Sequence, residues 1–532
     1  MRNKIKKIFF ITLMTFFLLS TNAIAIKQTK TSDENYVDNQ YFDSETLNKI
    51  ISQSNEDSDL DPLVDLEVSV IIKEIRGFDK IDLFSDPDFY VKVLFEDGKE
   101  YTSPVWENKN HVVEEWVVTQ DVPDNNEWVN ITIQLWDKDP ISDKLCDISV
   151  NNNYGLIQRD INVMYNLKTG HWYSYGDDMI TPPGSWTVDY SGYGRANGCD
   201  DNSIYENDLD CELFFDIIQN DFDGDGIPYW TEVNIFETDP EVDDTGRDDD
   251  SDDVPIEWEY KWGNRLDYVF VNDTLEFEFL WEYDPFEYND HKNLDPDEDS
   301  LNNYEEYLVS EWGSDPFRKD IFVELDKMDA GPNGEPKSDL PNESRELIYM
   351  AFNKQNIVFH LDDGEMGGGE VIPFDNEGEE TNRTEINEIY NDYFLHGDED
   401  NWRKGVFHYG LMLYNSVGVS GYMFRNNAFQ VSSKGLDKKS TQIGSRDRDV
   451  VYASAYMHEL GHTLGLTWLG GHYQQGKYFW QIGWWRWRPY KSIMNYGYMY
   501  GFIHDLVDFS DGSRGKNDFD DWNNIDFDYF EQ

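Results

Sequence analysis

Positive charge is scarce in this chain. Lys and Arg number 43 in 532 residues against 107 Asp and Glu, a net charge of −64. Nucleic acid is therefore a poor partner, because phosphate binding draws its affinity from basic side chains that displace counterions. Cysteine is equally scarce. With only Cys146, Cys199 and Cys211, at most one disulfide closes within the chain, and the short loop favours Cys199 with Cys211. Beyond the first 25 residues no apolar run is long enough to cross a bilayer. What is abundant excludes disorder: 39% of residues are hydrophobic and 16% aromatic, with 18 Trp and 33 Tyr, more apolar bulk than a solvated acidic chain carries. The length exceeds a single core and predicts several domains. Such an excess of carboxylates repels itself unless cations compensate, which points first to calcium.

The amino terminus predicts export. Arg2, Lys4, Lys6 and Lys7 precede an apolar stretch from Ile8 to Leu19, and Ala23-Ile24-Ala25 offers a small-residue cleavage site. Residues 1–25 read as a signal peptide of a secreted protein, or as a retained anchor, and the polar residues 26–63 as a linker.

From Leu66 the pattern becomes β. The runs Leu66–Ile72, Phe89–Phe95 and Trp128–Trp136 alternate apolar and polar residues between Asp, Gly, Pro and Asn turns, as in an all-β sandwich. Asp82, Asp86 and Asp88 precede the second run, and Asp137 and Asp139 follow the third. Carboxylates on two such loops can converge on calcium, or serve only as turn-formers. Residues 64–219 resemble a C2 domain in these two loops. The resemblance implies calcium held by Asp82, Asp88, Asp137 and Asp139, with Asp143 or Asp147 closing the second loop, and contact with a membrane or cell surface.

An acidic segment, residues 220–318, follows. Asp221, Asp223, Asp225 and Glu232 occupy positions 1, 3, 5 and 12 of a loop. The spacing recurs as Asp248, Asp250, Asp252 and Glu259, and again as Asp295, Asp297, Asp299 and Glu306. Alternate carboxylates point to one side of a turning loop, and the late Glu reaches back from a following helix, so each loop is suited to one Ca²⁺. Gly226 holds the sharp-turn position in the first loop, whereas Asp253 and Ser300 hold it in the others. Those two loops are expected to be weaker or differently bent. Thr238-Asp239-Pro240, Tyr283-Asp284-Pro285 and Ser314-Asp315-Pro316 recur as unit ends. The array resembles thrombospondin type 3 and dockerin-like calcium repeats.

Residues 319–532 have a mixed, α+β pattern: strands at Ile321–Leu325, Ile357–Leu361 and Phe407–Tyr414, and helical stretches at Arg345–Phe352 and Val450–Leu466. The last carries His458-Glu459-Leu460-Gly461-His462. Two histidines four apart share a helix face and can grip zinc, and Glu459 beside them can take a proton from zinc-activated water and pass it to a leaving amine. The segment resembles zinc metallopeptidases of the metzincin type. Gly465 matches the family glycine after the helix, and Ser492-Ile493-Met494-Asn495-Tyr496 resembles the Met-turn beneath the metal, with Tyr496 placed to reach the metal or the oxyanion. The family's third histidine falls on Trp468, which cannot bind zinc. A third ligand must come from elsewhere, with His472 favoured over Asp508, Asp511 and His504.

The expected protein is multidomain: an all-β C2-like sandwich, a calcium-loop array and an α+β metzincin-like metallopeptidase domain. Its expected activity is that of a secreted, calcium-stabilised zinc endopeptidase acting on protein or peptide substrates. The alternative is a calcium-dependent surface-binding protein with an inactive peptidase-like domain.

Overall fold

The computed structural model describes residues 62–82, 85–149, 159–175, 186–188, 194–198, 209–271, 274–376, 384–416, 419–441, 447–466, 480–499 and 507–531. All lie within one compact unit, Tyr41–Gln532. The signal-peptide reading, the linker up to residue 61, Cys199, Trp468, His472 and His504 lie outside the described residues. Among the described residues no helix is long and apolar enough to cross a membrane.

Among the described residues twelve strands build the first region. They are β1 (Glu67–Gly77), β2 (Phe89–Phe95), β3 (Glu100–Thr102), β4 (His111–Val112), β5 (Trp116–Asp121), β6 (Trp128–Asp137), β7 (Lys144–Leu145), β8 (Ile161–Asn166), β9 (Trp172–Tyr175), β10 (Trp186–Val188), β11 (Gly194–Asn197) and β12 (Cys211–Gln219). One sheet has the order β11-β12-β1-β4, with β5 also on β1, and the other β10-β9-β8-β6-β2-β3, with β7 on β6. Every pairing within them is antiparallel. Alternate residues such as Val68, Val70 and Ile72 of β1 meet Val91, Val93, Ile131 and Ile133 of the other sheet in one buried cluster, the arrangement period-two patterning dictates. The region is an all-β sandwich. Cys211 does not pair with Cys199: it is a free, buried thiol in this core, as is Cys146. Its place at the start of β12 turns it inward.

The acidic segment follows without a break. Each loop runs into a short helical stretch: residues 229–236 after the first, Ile256–Gly263 after the second and Asn303–Leu308 after the third. A hairpin of β13 (Asn264–Val271) and β14 (Thr274–Trp281) is inserted between the second and third loops. Small apolar clusters join successive units, with Ile227, Phe236, Ile256 and Tyr260 in one and Val254, Trp258, Trp262 and Tyr283 in the next. The array is tied to the sandwich by Thr231 Oγ1 donating to the Lys168 carbonyl at 2.7 Å and the Tyr260 hydroxyl to that of Thr169 at 2.8 Å.

The C-terminal sheet comprises β15 (Asp320–Met328), β16 (Val358–Asp362), β17 (Val371–Ile372), β18 (Phe407–Leu413), β19 (Gly421–Arg425) and β20 (Ala428–Ser432). The order is β16-β15-β18-β20-β19, with β17 on β15. All pairings are parallel except β19 with β20, so the interior of the sheet is α/β in character, with an antiparallel edge. β15 is buried along its whole length. Ile321, Val323 and Leu325 face the helices Asn342–Asn353 and Arg448–Thr463, while Phe322 and Met328 face a second core, which explains the near-continuous apolar run of a strand covered on both sides.

Candidate metal centres

The helix Arg448–Thr463 is capped by the Asp447 side chain, which accepts from the Asp449 amide, and is buried over most of its surface. On it, His458, Glu459 and His462 bring one ligand atom each within 4.8 Å of one another. Both imidazoles are oriented from behind. His458 Nδ1 donates to the Ile493 carbonyl at 2.9 Å, and His462 Nδ1 to that of Leu466 at 3.1 Å. A carbonyl can only accept, so in each neutral ring the proton sits on Nδ1 and the lone pair on Nε2. This tautomer suits a metal ligand. Burial raises the Glu459 carboxyl to about 8 and lowers His462 to about 4.

Beneath the helix, the turn Ser492–Asn495 is fixed by the Ser492 hydroxyl, which accepts from the Met494 amide at 3.0 Å, and by Asn495 Nδ2 donating to the Tyr490 carbonyl at 2.8 Å. Gly461 makes room for it: a Cβ there would stand 2.9 Å from Met494 Sδ. The Tyr496 ring stacks on His458 with centroids 5.3 Å apart. Gly465, at φ +78°, ends the helix in the left-handed region. Two of the candidate third ligands have hydrogen-bond partners of their own. Asp508 accepts from Trp522 Nε1 at 3.2 Å, and Asp511 accepts from the Ser513 amide at 3.0 Å and Arg514 Nη1 at 3.2 Å. Sequence reasoning missed Gly421, whose missing side chain leaves space for the Glu459 carboxylate.

The three acidic loops share one internal geometry. The first Asp of each caps the loop: Asp221 accepts from the Gly226 amide at 3.1 Å, Asp248 from Asp253 at 3.2 Å and Asp295 from Ser300 at 3.0 Å. Asp225, Asp252 and Asp299 accept from the amides of Ile227, Val254 and Leu301 at 2.8, 3.1 and 2.8 Å. Asp253 and Ser300 were expected to bend their loops differently. Instead they adopt φ of 77° and 78°, beside 86° for Gly226, so the bend is conserved at the cost of backbone strain, about 1–3 kcal/mol per residue.

The donor chemistry of these loops fits calcium. Asp223, Asp250 and Asp297 each leave Oδ2 buried without a hydrogen-bond partner, and Glu306 leaves both carboxylate oxygens so. Glu232, Glu259 and Glu306 are all buried. Burial, then repulsion from the neighbouring aspartates, raises Glu232 to about 8, Glu259 to about 9 and Asp297 to about 11, and drives Glu306 far above the carboxylate range. Such a set of oxygens is stable as carboxylates only around a hard cation. Two further groups enter these clusters unforeseen: Asp244 joins Asp225 and Glu232, and His291 joins Asp252 and Glu259, in each case with ligand atoms within 4.8 Å of one another.

The sandwich loops behave differently. Asp82, Asp137 and Asp139 do converge, but the cation among them is Lys144, whose Nζ lies 2.8, 3.1 and 2.8 Å from their carboxylates. Asp88 accepts from the Asn108 amide at 2.7 Å, and its own amide donates to Asp137 at 2.9 Å. Asp143 accepts from the Tyr90 hydroxyl at 2.8 Å, and Asp147 from the Ser149 amide at 3.1 Å. Three of the four predicted ligands, Asp82, Asp137 and Asp139, thus meet around the Lys144 ammonium.

No protein-family model matches the chain, and no curated protein matches it. Solved structures match over 28–36% of it. Human group IVD cytosolic phospholipase A2 in complex with methyl gamma-linolenyl fluorophosphonate is 14% identical, with 29% of this chain and 17% of that chain covered and a TM-score of 0.17. This chain thus spans about 17% of the length of that phospholipase. A C2 domain is 13% identical, with 29% and 98% covered and a TM-score of 0.17. A C2 domain of plant extended synaptotagmin 1 is 12% identical, with 28% and 91% covered and a TM-score of 0.16.

Proposed function

We propose that this protein is a secreted, calcium-stabilised zinc endopeptidase. The observation that carries the reading is the triad His458, Glu459 and His462, with ligand atoms within 4.8 Å of one another and both imidazoles fixed through Nδ1 by backbone carbonyls. A zinc ion at these histidines would supply Lewis-acid polarisation of a peptide carbonyl and a lowered water pKa. His472, or else Asp508, Asp511 or His504, would complete the ligand set. Glu459, in its dry pocket beside Gly421, takes the proton of the attacking water and returns it to the departing amine. Among the described residues β19 is the end strand of its sheet, and such an edge offers backbone groups that an extended peptide can pair with. That favours a polypeptide substrate.

The calcium part of the reading rests on the buried, partnerless oxygens of Asp223, Asp250, Asp297 and Glu306. The C2-like sandwich is assigned contact with a membrane or cell surface. With Lys144 seated among its loop carboxylates, that contact is independent of calcium.

Glu459→Gln tests the reading. The variant is expected to retain zinc and lose cleavage of a protein substrate such as casein by at least about 10³-fold. Cleavage at the parent rate would show that the chemistry lies elsewhere.

A further inference from the structure

The third acidic loop sits in a different environment from the other two. Leu301 within it and Val309 after its helix belong to the same buried cluster as Phe322 of β15 and Phe407 and Tyr409 of β18. Lys319, just before β15, donates through Nζ to the Glu298 carbonyl at 2.6 Å. The loop is thus part of the C-terminal core. In that core Glu306 is 0% exposed, and neither of its carboxylate oxygens has a hydrogen-bond partner. A buried carboxylate without donors demands a cation.

Comparison of the loops identifies where another ligand comes from. In each, Oδ2 of the fifth-position Asp accepts an amide from the residue five places beyond the Asp of the following Asp-Pro pair. Asp244 donates to Asp225 at 3.2 Å, Asn289 to Asp252 at 3.2 Å and Asp320 to Asp299 at 2.6 Å. In the first loop this residue also brings its carboxylate to Asp225 and Glu232, within 4.8 Å. The counterpart in the third loop is Asp320, the first residue of β15 and 2% exposed. Its carboxylate is aimed from both sides, with Oδ1 accepting from His360 Nε2 at 2.6 Å and Oδ2 from the Asp315 amide at 2.9 Å. Each oxygen keeps a second lone pair. The charge of Asp320 is also among the causes that raise the carboxyls of Asp297, Asp299 and Glu306, after burial.

We propose that Asp320 is a calcium ligand alongside Asp295, Asp297, Asp299 and Glu306, so that one ion is shared between the third acidic loop and β15, an interior strand of the C-terminal sheet. The inference rests on the calcium reading of the loops. An all-oxygen set of four Asp and one Glu selects a hard divalent cation. His360, on β16, acts as the outer partner that orients Asp320. Calcium at this position holds β15 against β16, and its loss loosens the sheet that carries the His458–His462 helix rather than only the acidic segment.

Calcium titration of the full chain by calorimetry, with melting curves in calcium and in chelator, tests the proposal. Asp320→Asn should weaken one site at least tenfold and abolish the calcium dependence of the C-terminal melting transition, whereas Asp244→Asn should weaken a different site. If Glu306→Gln loses a site and Asp320→Asn titrates like the parent, the loop binds calcium without Asp320 and the sharing is wrong. If neither variant changes calcium binding, the calcium reading of this loop falls with it. Hydrogen–deuterium exchange on the unaltered chain covers misfolding of Asp320→Asn: chelation should speed exchange of the β15 and β16 amides near Asp320 and His360 at least tenfold. Unchanged protection overturns the proposal.

Discussion

Gly421 lies flush against the carboxylate of Glu459: a Cβ built on it would stand 2.6 Å from Oε1 and 2.8 Å from Cγ. Those distances are below any real contact, so even one methyl group must displace the carboxylate from its pocket. The glycine is required for space rather than for its backbone angle.

Gly421→Ala is accordingly expected to lower kcat/KM about 10²-fold, the cost of misplacing a catalytic group by about 1 Å. Zinc content and melting temperature should stay near those of the parent, because the His458 and His462 contacts are untouched. A variant with parent activity would show that Glu459 has freedom the packing denies it.

Lys144 gives a second expectation. Replacing it by Gln leaves Asp82, Asp137 and Asp139 facing one another without their ammonium, a cluster of hard oxygen ligands with no cation. Lys144→Gln should bind one calcium ion more than the parent, measured by atomic emission after gel filtration in calcium. Equal stoichiometry would mean that the three carboxylates cannot close on an ion.

Legibility in the sequence tracked locality. Phe89–Phe95 was readable to the residue because its alternation, bounded by Pro87 and Asp97, fixes both the strand and its buried face. His458, Glu459 and His462 were readable because one helix presents them together. Gly421 and Lys144 were not, since each matters only through a partner brought close by the fold. Asp320 and Asp244 lie outside the twelve-residue loops, yet their fixed offset from the Asp-Pro pairs was a usable signal. The hairpin Asn264–Trp281 was missed because its strand pattern is embedded in a segment dominated by acidic spacing. Cys211 was misassigned because spacing in the chain says nothing about which way a strand residue faces.

Calcium binding should release protons. In the ion-free fold, burial and then mutual repulsion raise Asp225 and Asp250 to about 6, Glu232 to about 8 and Glu259 to about 9. A carboxyl whose folded value lies above its unfolded one holds more protons in the fold, so the stability these four groups contribute in the ion-free loops is present at low pH and is lost as pH rises from about 4 through 9. Calcium, which needs the ionised form, should reverse that slope and bind more tightly as pH rises. Titrations at pH 6 in buffers of different ionisation enthalpy should reveal the released protons. Buffer-independent heats would contradict the loops' role as calcium sites.

The sandwich and the C-terminal region meet through a charge network that also weakens as pH rises, but only above neutrality. His111 of β4 contacts Glu346 through Nδ1 at 3.0 Å and Glu74 through Nε2 at 2.7 Å, and Arg76 reaches Glu74, Glu212 and Glu346 at 2.9, 2.9 and 3.0 Å. Asn353 Nδ2 donates to Glu212 at 2.7 Å, and Arg195 reaches Glu212 at 2.8 Å and Asn356 at 2.7 Å. Burial alone would lower the His111 pKa, but hydrogen bonds to Glu346 and Glu74 raise it to about 9 despite Arg76 nearby. A histidine raised in the fold contributes fully below its unfolded value of about 6.5 and loses that contribution as pH climbs through 9. The interface should therefore hold at pH 7 and weaken by about 2 kcal/mol toward pH 10, seen as faster hydrogen exchange in β4 and the helix Asn342–Asn353. His111→Ala should flatten this dependence between pH 8 and 10. If the variant keeps the parent's profile, another group on this interface is titrating and His111 is a bystander.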